Sequence, residues 1–438
     1  ALKFAQSSQS HLIPYGGGTS VVGHINPPNV DRPVLTLDLT NLNNLVNLDE
    51  ENLLATFEAG IPGPQIESEL NGLGYTLGHF PQSFQYSTLG GWVATRSSGQ
   101  QSYYYGRIED LFRGGQLLTH QGEMNIPPFP ASAAGPDLRQ IILGSEGRFG
   151  ILSRVTVSIQ PLPEFEEFYA FFFKEWEAGL SAVRNIVQNN IQLSMIRLSD
   201  AQETETTLIL SGKRNLVRWA GFGLDILGFR RNRCLLILGI TGRRTQAEQA
   251  LESASQLCKM NGAMYAGRYI GTSWKKTRFL SPYLRNSLWE HGFALDTLET
   301  AAPWNKIQKI KDEAIQAIVD VNHRNGYKIL VFGHISHVYP TGASIYITYI
   351  FKRSHEPDEN LHRWAEMKGA ASQAIIQFGG TISHQHGIGR DHSHYLVDEK
   401  GKIGYDLLRE ITQFFDPSEI LNPNALVDSK ITLKKDSH

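Results

Sequence analysis

From Leu12 to about Val157, short apolar runs alternate with glycine-rich turns. His11-Leu-Ile-Pro, Val34-Leu-Thr-Leu-Asp-Leu, Leu54-Ala-Thr-Phe-Glu-Ala and Ile151-Leu-Ser-Arg-Val-Thr-Val-Ser-Ile have the texture of strands. Pro62–Asn71 places its apolar residues at helical spacing between two of them. Ala1–Gln6 reads as the tail of a helix that runs straight into the first strand, so an earlier strand and helix are expected to be missing.

Pro161-Leu-Pro-Glu marks a boundary. Beyond it, strand patterns (Phe168–Phe173, Cys234–Ile240, Lys328–Phe332, Ala343–Phe351) alternate with helical ones. The helices are expected near Trp176–Gln188, Gln246–Asn261, Asn305–Asn322 and Asn360–Phe378. This order predicts an α+β unit in which helices cover one face of a mainly antiparallel sheet. Two domains follow, residues 1–160 and 161–438, and no repeat of fixed period is present.

Composition narrows the picture little. The 438 residues carry a formal net charge of −2, so no global basic field points to nucleic acid. No run of about 18 uncharged apolar residues occurs, and no membrane-spanning helix is expected. Cys234 and Cys258 lie in no metal-binding spacing and read as idle thiols of a reducing compartment.

Chemistry is carried by five segments. Pro14-Tyr15-Gly16-Gly17-Gly18-Thr19-Ser20 follows an apolar strand, and successive N–H groups in such a turn form an anion-binding concavity. It is neither a Walker loop nor a GxGxxG turn. Pro81 to Gly99 interleaves glycines with small hydroxyl residues, which suits a chain lying along an extended cofactor. Gly144-Ser-Glu-Gly-Arg-Phe-Gly-Ile-Leu152 is a turn leading into a strand. His384-Gln385-His386-Gly-Ile-Gly389, with His392 and His394 nearby, suits acid–base work or a metal. Val331–Tyr346 holds His334, His337 and Tyr346 on strand patterns. Arg197 and Arg285 sit among apolar neighbours, where a buried guanidinium needs a phosphate or carboxylate partner.

At these residues the chain resembles the alkyldihydroxyacetonephosphate synthase family of the vanillyl-alcohol-oxidase superfamily. The glycine loop and the Gly-Ser-Glu-Gly turn belong to the superfamily and imply FAD. Ser87-Thr-Leu-Gly-Gly-Trp-Val-Ala-Thr-Arg-Ser-Ser-Gly, Tyr105-Gly-Arg-Ile-Glu-Asp-Leu, Glu299-Thr-Ala-Ala-Pro-Trp304 and Gly379-Gly-Thr-Ile-Ser-His-Gln-His-Gly-Ile-Gly are narrower signals. The implied fold is an N-terminally truncated FAD-binding domain of the vanillyl-alcohol-oxidase (PCMH) type followed by an α+β cap domain. The implied reaction is ether-lipid synthesis: a long-chain fatty alcohol replaces the acyl chain of acyl-dihydroxyacetone phosphate through a flavin N5 adduct, with FAD held non-covalently.

The resemblance also implies roles. Pro14 to Ser20 would bind the FAD pyrophosphate. Gln82, Ser83, Ser87, Thr88, Thr95, Arg96, Ser97, Ser98, Glu146, Gly147, Gly150 and Ile151 would line the rest of the cofactor. Tyr346, His384, Gln385, His386 and Arg197 would be catalytic, and Arg285 would grip the substrate phosphate. No metal is assigned. Gln385 stands where the family has a histidine, and glutamine exchanges no proton near neutral pH; Gln82 stands where the family has an aspartate. A homodimer is expected, with peripheral membrane contact near Trp219–Phe229. The compartment is expected to be the cytoplasm or inner membrane face in a bacterium and the peroxisome in a eukaryote. The competing reading is an FAD-linked oxidoreductase acting on a D-2-hydroxy acid or similar alcohol, in which His334 with His384 or His386 could hold a metal; a third reading, supported by Gln385, is a non-catalytic homologue that binds flavin or lipid.

Overall fold

The computed structural model describes residues 1–30, 32–210 and 224–427. They form two compact units. The first takes in Ala1–Gly99, Tyr105–Leu162 and the described residues from Gln385; the second takes in Gln100–Tyr104 and Pro163–His384. The sequence reading divides the chain once, after residue 160, so the return of the C-terminal segment to the first unit is a correction. Its cause is backbone pairing. The Leu12 N–H donates to the Ile420 carbonyl at 2.7 Å, and the Leu12 carbonyl accepts from the Asn422 N–H at 2.9 Å. Leu421 is thereby bridged parallel to Leu12, and both side chains share one apolar cluster with Ala5, Ile151 and Ile420.

In the first unit, β1 (His11–Tyr15) and β2 (Val34–Asp38) pair in parallel. A five-stranded antiparallel sheet runs in the order β3 (Leu45–Asp49), β4 (Leu54–Glu58), β8 (Ile151–Ser158), β6 (Phe112–Thr119), β7 (Gly122–Ile126). A short pair joins β5 (Tyr75–Thr76) to β9 (Gln160–Pro161). The helix Gly63–Asn71 buries Ile66 and Leu70.

The second unit is built on a seven-stranded sheet, all of whose pairings are antiparallel. Its order is β13 (Met264–Gly267), β10 (Phe165–Phe173), β12 (Cys234–Gly242), β11 (Met195–Ser199), β15 (Ile329–Tyr339), β16 (Gly342–Lys352), β14 (Phe293–Pro303). One face is covered by the helices Trp176–Gln188, Arg244–Met260, Trp304–Arg324 and Pro357–Gln377, which contribute Ile186, Ala254, Ile310 and Met367 to a single core. Each of the isoleucine and methionine side chains contributes ~1.5–3 kcal/mol by leaving water. β10 reads as a continuous apolar run because it is buried on both sides: Phe171 and Phe173 face the helices, while Phe168 and Phe172 face a second cluster with Leu224 and Phe229.

Trp219 to Gly223 lie outside the described residues. In the remainder of that apolar segment, Leu224 and Phe229 are buried and Ile226 and Leu227 exposed. Among the described residues no helix is long and apolar enough to cross a membrane. Cys234 and Cys258 are free and buried. Burial pushes both thiols up to about 12, which leaves them unreactive.

Candidate functional site

In the first unit β1 ends at Tyr15 and the chain bends through Gly16 to Gly18, the last at φ +69°. The backbone N–H groups of Gly16, Gly17, Gly18, Thr19 and Ser20 make no hydrogen bond among the described residues. A run of unsatisfied donors in one turn is a site for an anion. The glycines are required by neighbours. A side chain at Gly16 would run into Thr88 Oγ1, one at Gly17 into the Tyr86 carbonyl, and one at Gly147 would meet Pro14 Cγ at 2.8 Å. The loop at 14–20, the strip at 81–99 and the turn at 144–150 are therefore in mutual contact.

Side chains hold these strips in place. The Ser98 N–H donates to Gln385 Oε1 at 3.0 Å. Ser97 Oγ is hydrogen-bonded to His79 Nε2 at 3.2 Å, and Trp92 Nε1 donates to Ser87 Oγ at 2.7 Å. Burial, with the Arg107 charge, pushes His79 down to about 3 and keeps it neutral. Glu146 Oε2 faces His24 Nε2 at 2.8 Å, and its carboxylate accepts from the N–H groups of Ile388 (2.5 Å) and Gly389 (2.8 Å). Arg96 donates to the Leu143 carbonyl and to Glu109. Both residues thus brace the cradle, and Ile151 lies in the apolar core behind it. Ser83 accepts at its carbonyl from Ser87 Oγ, Thr95 Oγ1 donates to the Gly91 carbonyl, and Gln82 is exposed. Gly150, at φ +150°, leads into β8, and Tyr15 Oη lies over Gly18.

The second unit gathers charged and aromatic side chains on the sheet face away from its helices. Alternation along each strand sends them there. Ile196, Leu198, Ile345 and Ile347 join the helix-side core, which leaves Arg197 and Tyr346 on the opposite face. Arg197 Nη1 donates to His334 Nε2 at 2.8 Å, Arg197 Nη2 donates to Glu203 Oε1 at 2.7 Å, and His334 Nδ1 lies 3.1 Å from the same oxygen. Burial and the Arg197 charge lower His334, so the ring is neutral, accepting at Nε2 and donating from Nδ1. Burial alone would raise Glu203; the neighbouring positive charge outweighs it and brings the carboxyl down to about 2. With His334 neutral, Arg197 is the charge responsible.

Tyr346 is half-buried and stacks on His334, with ring centroids 4.9 Å apart and planes at 18°. Burial raises its phenol above the ordinary value, so it stays protonated as a donor. Directly opposite Tyr346 across the β14–β16 pairing is Glu299. Glu299 Oε1 lies 3.2 Å from His384 Nδ1 and 3.7 Å from His337 Nε2, and Tyr339 Oη is hydrogen-bonded to His384 Nε2 at 2.6 Å.

Two expectations need correction here. Arg285 is exposed: its helix, Leu284–Glu290, buries no residue, so its apolar neighbours in sequence are not neighbours in a core. His334 does not pair with His384; Arg197 and Glu203 hold it, and His384 sits with His337 and Glu299 instead. His386 is half-buried on the segment that docks against Glu146. Glu203, Glu299, Tyr339 and His79 were not singled out in the sequence. Glu299 opens the Glu299–Trp304 motif, and His337 and Tyr339 share the strand of His334; Glu203 lies on a helix and carries no sequence signal.

Two family profiles match. The FAD binding domain covers residues 1–125, and the C-terminal domain of FAD linked oxidases covers residues 162–426. Alkyldihydroxyacetonephosphate synthase from Dictyostelium discoideum is 30% identical over 98% of this chain and 70% of its own length. The Caenorhabditis elegans protein of that name is 31% identical over 98% and 74%. The chain belongs to the alkyldihydroxyacetonephosphate synthase family of FAD-linked oxidases. A solved structure of a synthase superposes with a TM-score of 0.80 at 28% identity, covering 96% of this chain and 74% of that one. The PCMH-type FAD domain and the antiparallel, helix-covered cap expected from the sequence are thus both present. The residues fit the family's cofactor: unsatisfied N–H groups from Gly16 to Ser20 would hold the FAD pyrophosphate, and the 81–99 strip, braced by Gln385 and His79, would run beside the rest.

Proposed function

We propose that this chain is a flavin-dependent ether-lipid synthase, exchanging the acyl chain of acyl-dihydroxyacetone phosphate for a long-chain fatty alcohol. The observation that carries this reading is the similarity to named synthases along 98% of the chain. FAD, bound non-covalently, supplies the covalent catalysis; the chain supplies placement and proton transfer. Tyr346, kept protonated by burial, gives and retrieves the proton at the substrate. Arg197 and Glu203 fix the neutral His334 ring on which Tyr346 stacks, so the phenol has a defined orientation. Arg285, exposed and cationic, is assigned the substrate phosphate. Gln385 serves as an anchor for Ser98 and not as a proton carrier, which accommodates the departure from the family histidine. His386 is left as the substrate-side donor, since the two ring nitrogens of His384 face Glu299 and Tyr339. The reading includes a homodimer and contact of the exposed Ile226 and Leu227 with a lipid surface.

The test is the flavin spectrum under anaerobic conditions. Palmitoyl-dihydroxyacetone phosphate should bleach it and release palmitate, and hexadecanol should then restore it with formation of an ether. Bleaching by a D-2-hydroxy acid alone would move the chain to the oxidoreductases.

A further inference from the structure

The Glu299, His337 and His384 side chains come from β14, β15 and the segment after the Pro357–Gln377 helix, all within the second unit. One ligand atom from each lies within 4.8 Å of the others, and all three residues are buried. Glu299 Oε1 is the shared point, 3.2 Å from His384 Nδ1 and 3.7 Å from His337 Nε2. Ligands about 2.0–2.1 Å from a tetrahedral ion stand about 3.4 Å apart. The two separations from Glu299 Oε1 are therefore already close to the edge length of a coordination tetrahedron, and the third is within 4.8 Å.

The far side of each ring agrees. Ser102 Oγ lies 3.0 Å from His337 Nδ1, and Tyr339 Oη lies 2.6 Å from His384 Nε2. Each imidazole turns one nitrogen to Glu299 and the other to a hydroxyl. A neutral histidine that ligates through one nitrogen must carry its proton on the other and donate it to an acceptor, and such partners fix tautomer and ring orientation. Ser102 and Tyr339 can both accept. The Glu299 carboxyl is fully enclosed, and Ser336 Oγ also donates to its Oε1 at 3.4 Å.

We infer that Glu299, His337 and His384 bind a divalent ion of the zinc class, with Ser102 and Tyr339 as the outer hydrogen-bond partners. Two imidazoles and one carboxylate suit Zn²⁺ and neighbouring first-row ions, not Mg²⁺ or Ca²⁺, which prefer oxygen. Three protein ligands leave a position open for water or a substrate oxygen. Ligand identity here is set by side chains that the FAD cradle does not use, so the inference stands whether or not the synthase reading holds.

The experiment needs no turnover. The FAD-loaded protein is stripped with a chelator, equilibrated with ZnCl₂, dialysed against metal-free buffer and measured by inductively coupled plasma mass spectrometry. About one equivalent of Zn²⁺ should remain in the wild type, and ~10–100-fold weaker retention is expected for His337→Gln and Glu299→Gln. His394→Gln, at an exposed histidine outside the cluster, should retain the ion. Co²⁺ in place of Zn²⁺ should give the intense visible bands of a four- or five-coordinate site in the wild type, a readout that survives if a variant fails to fold. Wild-type protein that retains no zinc and shows only the weak bands of hydrated Co²⁺ overturns the inference, as does folded His337→Gln that retains as much metal as wild type.

Discussion

The two units meet the same demand, holding a charged or reactive group in place, by different means. In the first, the donors are backbone N–H groups between Gly16 and Ser20, and side chains matter chiefly by being absent. In the second, the groups are side chains from segments far apart in sequence, most of them strands: Arg197, Glu203, Glu299, His334, His337, Tyr346 and His384. A backbone cradle has fixed partial charges and needs no desolvated ion. A side-chain cluster carries full charges that burial makes costly, so each member is paired with another. The cradle should therefore fail through added atoms, and the cluster through removed ones.

Substitution at the phenol proposed for proton transfer separates the two most sharply. Tyr346→Phe should cut kcat/KM by ~10²–10⁴-fold, measured by ether formation, with flavin absorbance and melting temperature near those of wild type. Activity within a few-fold of wild type would remove Tyr346 from proton transfer.

In the cradle the informative change is the smallest possible addition. Gly17→Ala drives a methyl group into the Tyr86 carbonyl. Overpacking of this kind costs ~1–3 kcal/mol, about 5–150-fold in FAD affinity, and should be read by flavin fluorescence on dilution. Undiminished retention of FAD would show that the loop at 14–20 and the strip at 81–99 do not need to touch.

Arg285 tests whether an exposed charge belongs to the comparison at all. Arg285→Ala should raise KM for the phosphate-bearing substrate by ~10–100-fold, the worth of a charge-assisted hydrogen bond, while kcat and FAD content hold. An unaltered KM would detach the phosphate from this helix.

The mildest effect concerns stability and runs through Asp200, which accepts from the N–H groups of Glu203 (2.8 Å) and Gly333 (2.7 Å). Burial raises its carboxyl to about 6 from an ordinary 3.8, against those hydrogen bonds. The folded state thus favours the proton. The stability this contributes is complete below the ordinary value and lost as pH rises through about 6, on the order of 3 kcal/mol. Glu203 runs the other way: its contribution is present above the ordinary carboxylate value and disappears only as pH falls toward about 2. Asp200→Asn should therefore flatten the decline in melting temperature between about pH 4 and pH 6, a change of a few degrees. A decline as steep as in wild type would place the titration elsewhere.

What the sequence determined by itself follows from local rules. Glycine is required where a Cβ has no room or φ is positive, so Gly16, Gly17 and Gly18 announced an anion-binding turn without any knowledge of its neighbours, while Gly147 marked only a turn before a strand. Short continuous apolar runs located β10 and β12, which are buried on both sides, and helical spacing located the long helices, because each buries a face whose repeat is written in consecutive residues. Three things were decided only by tertiary structure. The C-terminal segment joins the first unit because Leu12 and Leu421 pair their backbones, and pairing partners leave no mark on either strand alone. Arg285, although it follows Tyr283-Leu284, is exposed because its two-turn helix buries none of its residues. Glu299, His337 and His384 converge because β14 and β15 flank β16 and the chain after the Pro357–Gln377 helix returns to them. Local chemistry is encoded by neighbours along the chain; a buried charge finds its partner only when the whole sheet has formed, since distance in sequence and distance in space are then unrelated.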